Sequence, residues 1–123
     1  MKKLVVMAAV TLALGIGTAQ AAGDAAKGKK VYKKCKACHT LKAGKNRVGP
    51  SLHGVIGRKA AAVPKYKYSK AMKNSGLVWD DANLRGYLKS PKKFLPKNKM
   101  AFRGLKKNKD IDNVLAYIAE QSK

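Results

Sequence analysis

Cys35, Cys38 and His39 are the residues whose types and spacing could do chemistry. They stand in the run Cys35-Lys36-Ala37-Cys38-His39 of a 123-residue chain with two cysteines and two histidines in all. Two cysteines three positions apart lie on one side of a helical turn, where both thiols can add to the vinyl groups of one haem. The histidine directly after them can then turn its imidazole toward the iron. A thioredoxin-type redox pair would need a βαβ setting, and no alternating strand pattern surrounds the motif. A structural zinc site needs four ligands, and His39 and His53 do not form the spaced histidine pair that would complete one. A disulfide closing so short a loop would stabilise little. Haem attachment is the reading that uses all three residues.

A sixth ligand for such an iron could come from Met72, Met100, His53 or a lysine. Met100 lies in Pro96-Lys97-Asn98-Lys99-Met100-Ala101-Phe102, a stretch without apolar periodicity that gives a methionine no packing role. Met72 follows Ala71 in a short helical stretch and reads as a gap-filling core residue. His53 follows Gly49-Pro50-Ser51-Leu52.

The elements that must position these residues are helical. Ile111, Val114, Leu115, Ile118 and Ala119 keep the i, i+3, i+4, i+7, i+8 rhythm of one buried face. Asp24 to about Lys36 predicts a second helix carrying Gly28, Val31, Tyr32 and Cys35 on one stripe. Glycine weakens a helix interior by up to about 1 kcal/mol, so Gly28 marks a close approach by another helix. Asp80 to Lys89 predicts a third helix, stopped by Ser90-Pro91. Ser69 to Asn74 reads as a short helical turn ending at Gly76. Ala43 to Pro64 and Pro91 to Leu105 read as loops, and no internal repeat is present. Five of the six acids, Asp24, Asp80, Asp81, Asp110 and Asp112, fall where helices are expected to start, as N-caps and partners of the positive dipole end.

The first residues read as a leader. Met1-Lys2-Lys3 is a positive start, Leu4 to Gly17 is apolar, and Ala19-Gln20-Ala21 is a small-x-small cleavage pattern. An uncleaved anchor is the competing reading, but the apolar run is shorter than the roughly 20 residues a spanning helix needs. Residues 1–21 are therefore expected to be a bacterial signal peptide and 22–123 one small domain working in the periplasm. The full chain has 28 Lys and Arg against 6 acids, a net charge of +22. Loss of Lys2 and Lys3 leaves +20. Between Asp24 and Asp80 there are 15 Lys and Arg and no acid. Such a charge steers the molecule toward negative surfaces. Export and the lack of a nucleic-acid-binding motif point to an acidic protein patch or an anionic membrane surface rather than nucleic acid.

The domain also resembles the class I c-type cytochromes, of the bacterial c2 and mitochondrial kind, from Gly23 to about Ser122. The matching stretches include Lys-Gly-Lys-Lys at 27–30, Cys-x-x-Cys-His-Thr at 35–40, Gly-Pro-Ser-Leu-His-Gly at 49–54 and Gly-Arg-Lys at 57–59. Tyr66-x-Tyr68, Trp79, Tyr87-Leu88, Ser90-Pro91-Lys92-Lys93 and Lys99-Met100-x-Phe102 follow in order. The resemblance implies an all-α fold, with three main helices, short helical turns and loops around one covalent haem. It implies axial ligation by His39 and Met100, and a Pro50 carbonyl that accepts the His39 ring N–H. Arg58, Tyr68 and Trp79 match residues that hold the haem propionates, and His53 one that braces loop backbone. Asn98 stands where the family usually has a propionate-contacting Thr, and Lys97 where Gly is common, so the loop's stiffness is a point to test. A positive potential follows from thioether ligation and apolar burial.

The function implied is single-electron transport between membrane redox complexes, a bc1-type complex, a terminal oxidase or a photosynthetic reaction centre, and not enzymic catalysis. Lys34, Arg47, Lys92, Lys93, Lys99, Lys106 and Lys107 match the lysines that ring the haem edge and dock on acidic surfaces, with the carrier a monomer. The alternative is a c′-type protein that binds gases or peroxide. That family carries its motif near the C-terminus of a four-helix bundle and keeps an open iron, whereas here the motif is near the N-terminus and a methionine is available.

Overall fold

The computed structural model describes residues 23–122; the expected leader and its cleavage point lie outside them. The chain forms α1 (Ala25–Lys36), α2 (Lys70–Lys73), α3 (Asp81–Lys89), α4 (Pro91–Phe94) and α5 (Asn108–Gln121). Among the described residues the only extended pairing is an isolated antiparallel bridge, Lys59 to Val78. Three longer helices with two single turns and long loops agree with the all-α expectation.

The frame is the packing of α1 against α5. A Cβ on Gly28 would stand 1.8 Å from the Asn113 carbonyl oxygen, so the helices cross where only a glycine fits. The crossing is tied by the Asp24 N–H, which donates to Asn113 Oδ1 at 2.9 Å. It is filled by the Tyr32 and Tyr117 rings, 5.3 Å apart, within the range where tilted aromatic pairs attract. Ile111, Val114, Leu115 and Ile118 of α5 are buried, as their spacing predicts, with Tyr32, Val55, Trp79, Leu84, Tyr87 and Leu105, whereas Ala119, expected on the same face, is exposed at the end of the stripe.

The helix-start expectation holds for four of the five acids, two as caps and two, Asp81 and Asp110, in a first turn beside the positive dipole end. Asp24 accepts from Lys27 N and Asp80 from Asn83 N, each as an N-cap. Asp110 and Asp112 lie inside α5, whose N-cap is Lys107 without a side-chain bond. Asp81 and Asp112 both pair with Arg85, which thereby links α3 to α5. The 91–105 stretch is not all loop. Pro91 ends α3 yet opens α4 as its first residue, a position that needs no N–H and suits the fixed proline φ.

Tyr32 is 6 % exposed, and its hydroxyl has no hydrogen-bond partner among the described residues. An orphaned buried hydroxyl costs about 1–3 kcal/mol. Tyr32→Phe keeps the ring against Tyr117 and is expected to raise stability by about 1 kcal/mol, read from chemical unfolding. Burial, followed by the Cys35 and Tyr117 charges, pushes Tyr32 up from 10.0 to about 12. The folded phenol therefore stays protonated where the unfolded one ionises. The corresponding stability is complete below pH 10 and is lost as pH rises toward 12, so Tyr32→Phe should flatten that alkaline decline. A variant less stable than wild type, with the same alkaline slope, would contradict this.

Candidate haem site

The last turn of α1 places Cys35, and the chain then leaves the helix through a turn in which Cys38 N and His39 N both donate to Cys35 O, at 3.1 and 2.9 Å. Both thiols are free and half-buried. Burial pushes Cys35 up to about 11, with Lys34 opposing and Cys38 adding to the rise.

His39 is held from two sides. Its Nδ1 lies 2.7 Å from the Pro50 carbonyl, which makes Nδ1 the N–H donor and leaves Nε2 with a free lone pair. The ring also rests on Gly49, where a Cβ would come within 2.4 Å of Cε1. Burial lowers the imidazole's pKa, the Pro50 bond raises it and Arg58 lowers it further. The result is a neutral, oriented ring, the form in which histidine binds a metal. The loop that supplies Pro50 is itself fastened. Ser51, 2 % exposed, donates its hydroxyl to Lys42 O at 2.6 Å, and its N–H donates to Asn46 Oδ1 at 2.9 Å.

Arg58 donates through its two terminal nitrogens to Ser51 O at 3.0 Å and His53 O at 2.8 Å. Its Nε is buried without a hydrogen-bond partner among the described residues. A buried guanidinium N–H left open in this way suits a carboxylate group. Tyr68 accepts from Val63 N at 3.0 Å, and its ring meets Tyr66 edge-on at 4.8 Å. Trp79 is 6 % exposed and packs against Tyr87 at 4.9 Å, so it is core whatever else it does. His53 sets its Nδ1 3.3 Å from Leu41 O and accepts the Arg58 bond on its carbonyl, a backbone brace as expected.

Met100 and Met72 are both half-buried against the core. Met72 sits in α2, beneath the Ser69 N-cap. Met100 sits in the loop after α4, where Asn98 does what the sequence did not foretell. Its Nδ2 donates to Pro91 O at 2.9 Å and Leu95 O at 2.8 Å. Its Oδ1 accepts from Tyr87 Oη at 3.2 Å and Met100 N at 2.8 Å. Both amide donors are thus committed to carbonyls, and none is left for a propionate. Lys97 adopts φ 66°, a left-handed conformation that costs an ordinary residue about 1–2 kcal/mol, and the Asn98 bonds hold it there.

The residues fit a haem. Two free thiols, a neutral oriented imidazole and an open buried guanidinium N–H are the groups that could hold one, and Leu52, Met100 and Phe102 offer apolar surface beside the core. These apolar side chains pack against the core but stay only partly covered. The surroundings are basic. A cavity of about 680 Å³ beside His39 is lined by Tyr32, Leu41 and Tyr117 and by six cations between Lys29 and Arg47, with no acid. The seven expected docking residues are all exposed, and the ion pairs among the described residues involve none of them. Lys99 is partly engaged, donating to the Lys67 carbonyl with its ammonium 5.8 Å from the Tyr66 ring centre.

The cytochrome c family model matches residues 25–122. Cytochrome c2 of Afifella marina is 54 % identical over 97 residues, covering 76 % of this chain and 78 % of that protein. Cytochrome c of Arabidopsis thaliana is 48 % identical over 103 residues, covering 82 % and 92 %. Among solved structures, cytochrome cH from Methylobacterium extorquens superposes with a TM-score of 0.76 at 46 % identity, over 80 % of this chain and 99 % of that one.

Proposed function

The chain belongs to the cytochrome c family, whose members carry electrons on a covalently bound haem, here attached through Cys35 and Cys38, and from that premise we propose a periplasmic shuttle with His39 and Met100 on the iron. The haem supplies a one-electron Fe(II)/Fe(III) couple. The chain's own residues would hold that group and shield it from substrates. His39, fixed through Nδ1 on Pro50 O at 2.7 Å, offers Nε2 as the proximal ligand. Met100 would offer its sulfur from a half-buried position in a pinned loop, and with both ligands in place no site would remain for oxygen or peroxide. Arg58, through its open Nε, is assigned to a propionate, with Tyr68 and Trp79 beside it. Residues 1–21 are assigned to a cleaved signal peptide.

The observation that carries this reading is the neutral, Pro50-oriented His39 directly after two free thiols, with Met100 half-buried in a loop pinned by Asn98. A c′-type gas-binding protein has no such methionine to place.

Docking is assigned to Lys34, Arg47, Lys92, Lys93, Lys99, Lys106 and Lys107, toward acidic faces of membrane redox complexes. Electron-transfer encounters bury little area, so long-range attraction sets their rate more than contact energy does. The Debye length is about 10 Å at 0.1 M salt, and the rate should fall steeply as salt rises. Reversing Lys34, Lys93 or Lys107 to Glu is expected to slow reduction or oxidation by native membranes by up to about tenfold at low salt, with the potential unchanged. Reversing Lys59, exposed but outside this set, should do much less. Equal effects from both, or rates indifferent to salt, would remove docking from these lysines.

A further inference from the structure

We infer that Asn98 is the positioning residue that keeps Met100 closed on the iron. The inference rests on the proposed Met100 ligation. The loop between α4 and α5 has few backbone ties of its own around the methionine. Leu95 N reaches Pro91 O at 2.9 Å, Asn98 N reaches Leu95 O at 3.3 Å, and Phe102 N reaches Met100 O at 3.0 Å.

The Asn98 side chain joins everything these leave loose. An amide has two donors and one oxygen with two acceptor directions, and all four are used here. The donors hold the first residue of α4 and the residue just after it, Pro91 and Leu95. The oxygen holds the Met100 N–H and the hydroxyl of Tyr87. Tyr87 is 8 % exposed and packed in the core, so the methionine's backbone is referenced to the core through a single side-chain oxygen.

A short polar side chain saturated in this way removes alternatives rather than adding bulk. With the clamp gone, the φ 66° turn at Lys97 is closed only by the long Asn98 N to Leu95 O bond at 3.3 Å, and the segment 96–100 can swing with its methionine. Asn98 touches neither the thiols nor His39 in any hydrogen bond of the structure, so its loss should loosen one axial position and leave attachment intact.

The test uses the mature ferric holoprotein with imidazole as the probe for an opened iron. Asn98→Ala is expected to speed imidazole association by about tenfold or more, since loss of a few modest hydrogen bonds multiplies the open population by that order. Asn98→Asp keeps the acceptor contacts to Met100 and Tyr87 but loses both donors, and should give a smaller rise. Haem content should match wild type in both. If thermal stability drops while both variants bind imidazole at the wild-type rate, Asn98 is merely structural and the inference is overturned. If Asn98→Ala does not accumulate, Asn98→Asp decides alone, and a wild-type rate there overturns it. The underlying ligation has its own control. If Met100→Ala leaves the ferric far-red sulfur band and the imidazole rate unchanged, the Met100 assignment fails first and this inference with it.

Discussion

Replacing Cys35 and Cys38 together by alanine is expected to leave little or no folded, coloured protein. The domain is small, about a hundred residues after the leader, and small domains bury a limited share of their apolar surface. Its protein core comprises ten buried apolar side chains, while Leu41, Leu52, Leu88, Leu95, Met100 and Phe102 pack against them only partly covered. A haem attached through the two thiols would add apolar surface for part of that second set. Because it binds only the folded chain, it stabilises the fold by mass action and, once covalent, cannot dissociate. In the wild type, denaturation should not extract the pigment, and the mass should equal one haem plus the polypeptide from Ala22 onward. That mass also tests the cleavage point. A double variant that accumulates haem-free with wild-type stability would sink the idea, as would wild-type haem that washes out on denaturation.

Met100→Ala should have the next largest effect. The ferric wild type should show a weak far-red band from sulfur-to-iron charge transfer, and the variant should lose it while gaining rapid binding of cyanide. Met72→Ala should keep the band, because Met72 fills space beneath the α2 cap rather than sitting in the pinned loop. Loss of the band in Met72→Ala, with retention in Met100→Ala, would reverse the ligand assignment. The effect on potential should also be large. Replacing a thioether by solvent or a harder ligand favours the ferric state, so the potential of Met100→Ala should fall.

Much of this site was legible in the sequence, because its chemistry is local. Cys35, Cys38 and His39 are adjacent in the chain, and the 3.6-residue rhythm of Ile111 to Ile118 fixed the buried face of α5. Gly28 was legible for a physical reason as well, since a glycine inside a helix needs a neighbour to justify it, and Asn113 is that neighbour.

What escaped was tertiary. Asp112 reads as a helix-start acid, but Arg85 from α3 takes it, and no local pattern announces a partner 27 positions away. Pro91 reads as a stop, and the same ring geometry that stops α3 starts α4. Asn98 reads only as standing where the family usually has a propionate-contacting Thr. Its real partners, Pro91 and Tyr87, are seven and eleven positions away and come within reach only because α4 folds the chain back.

The central claim is that the iron is closed on both faces and therefore passes electrons instead of binding substrates. Carbon monoxide added to the reduced wild-type protein at neutral pH tests this most directly. The expected result is an unchanged visible spectrum over minutes, as the proposed ligation by His39 and Met100 requires. Immediate formation of a carbon monoxide complex in the native, fully folded protein would contradict it, and would place the chain with the gas-binding haem proteins instead.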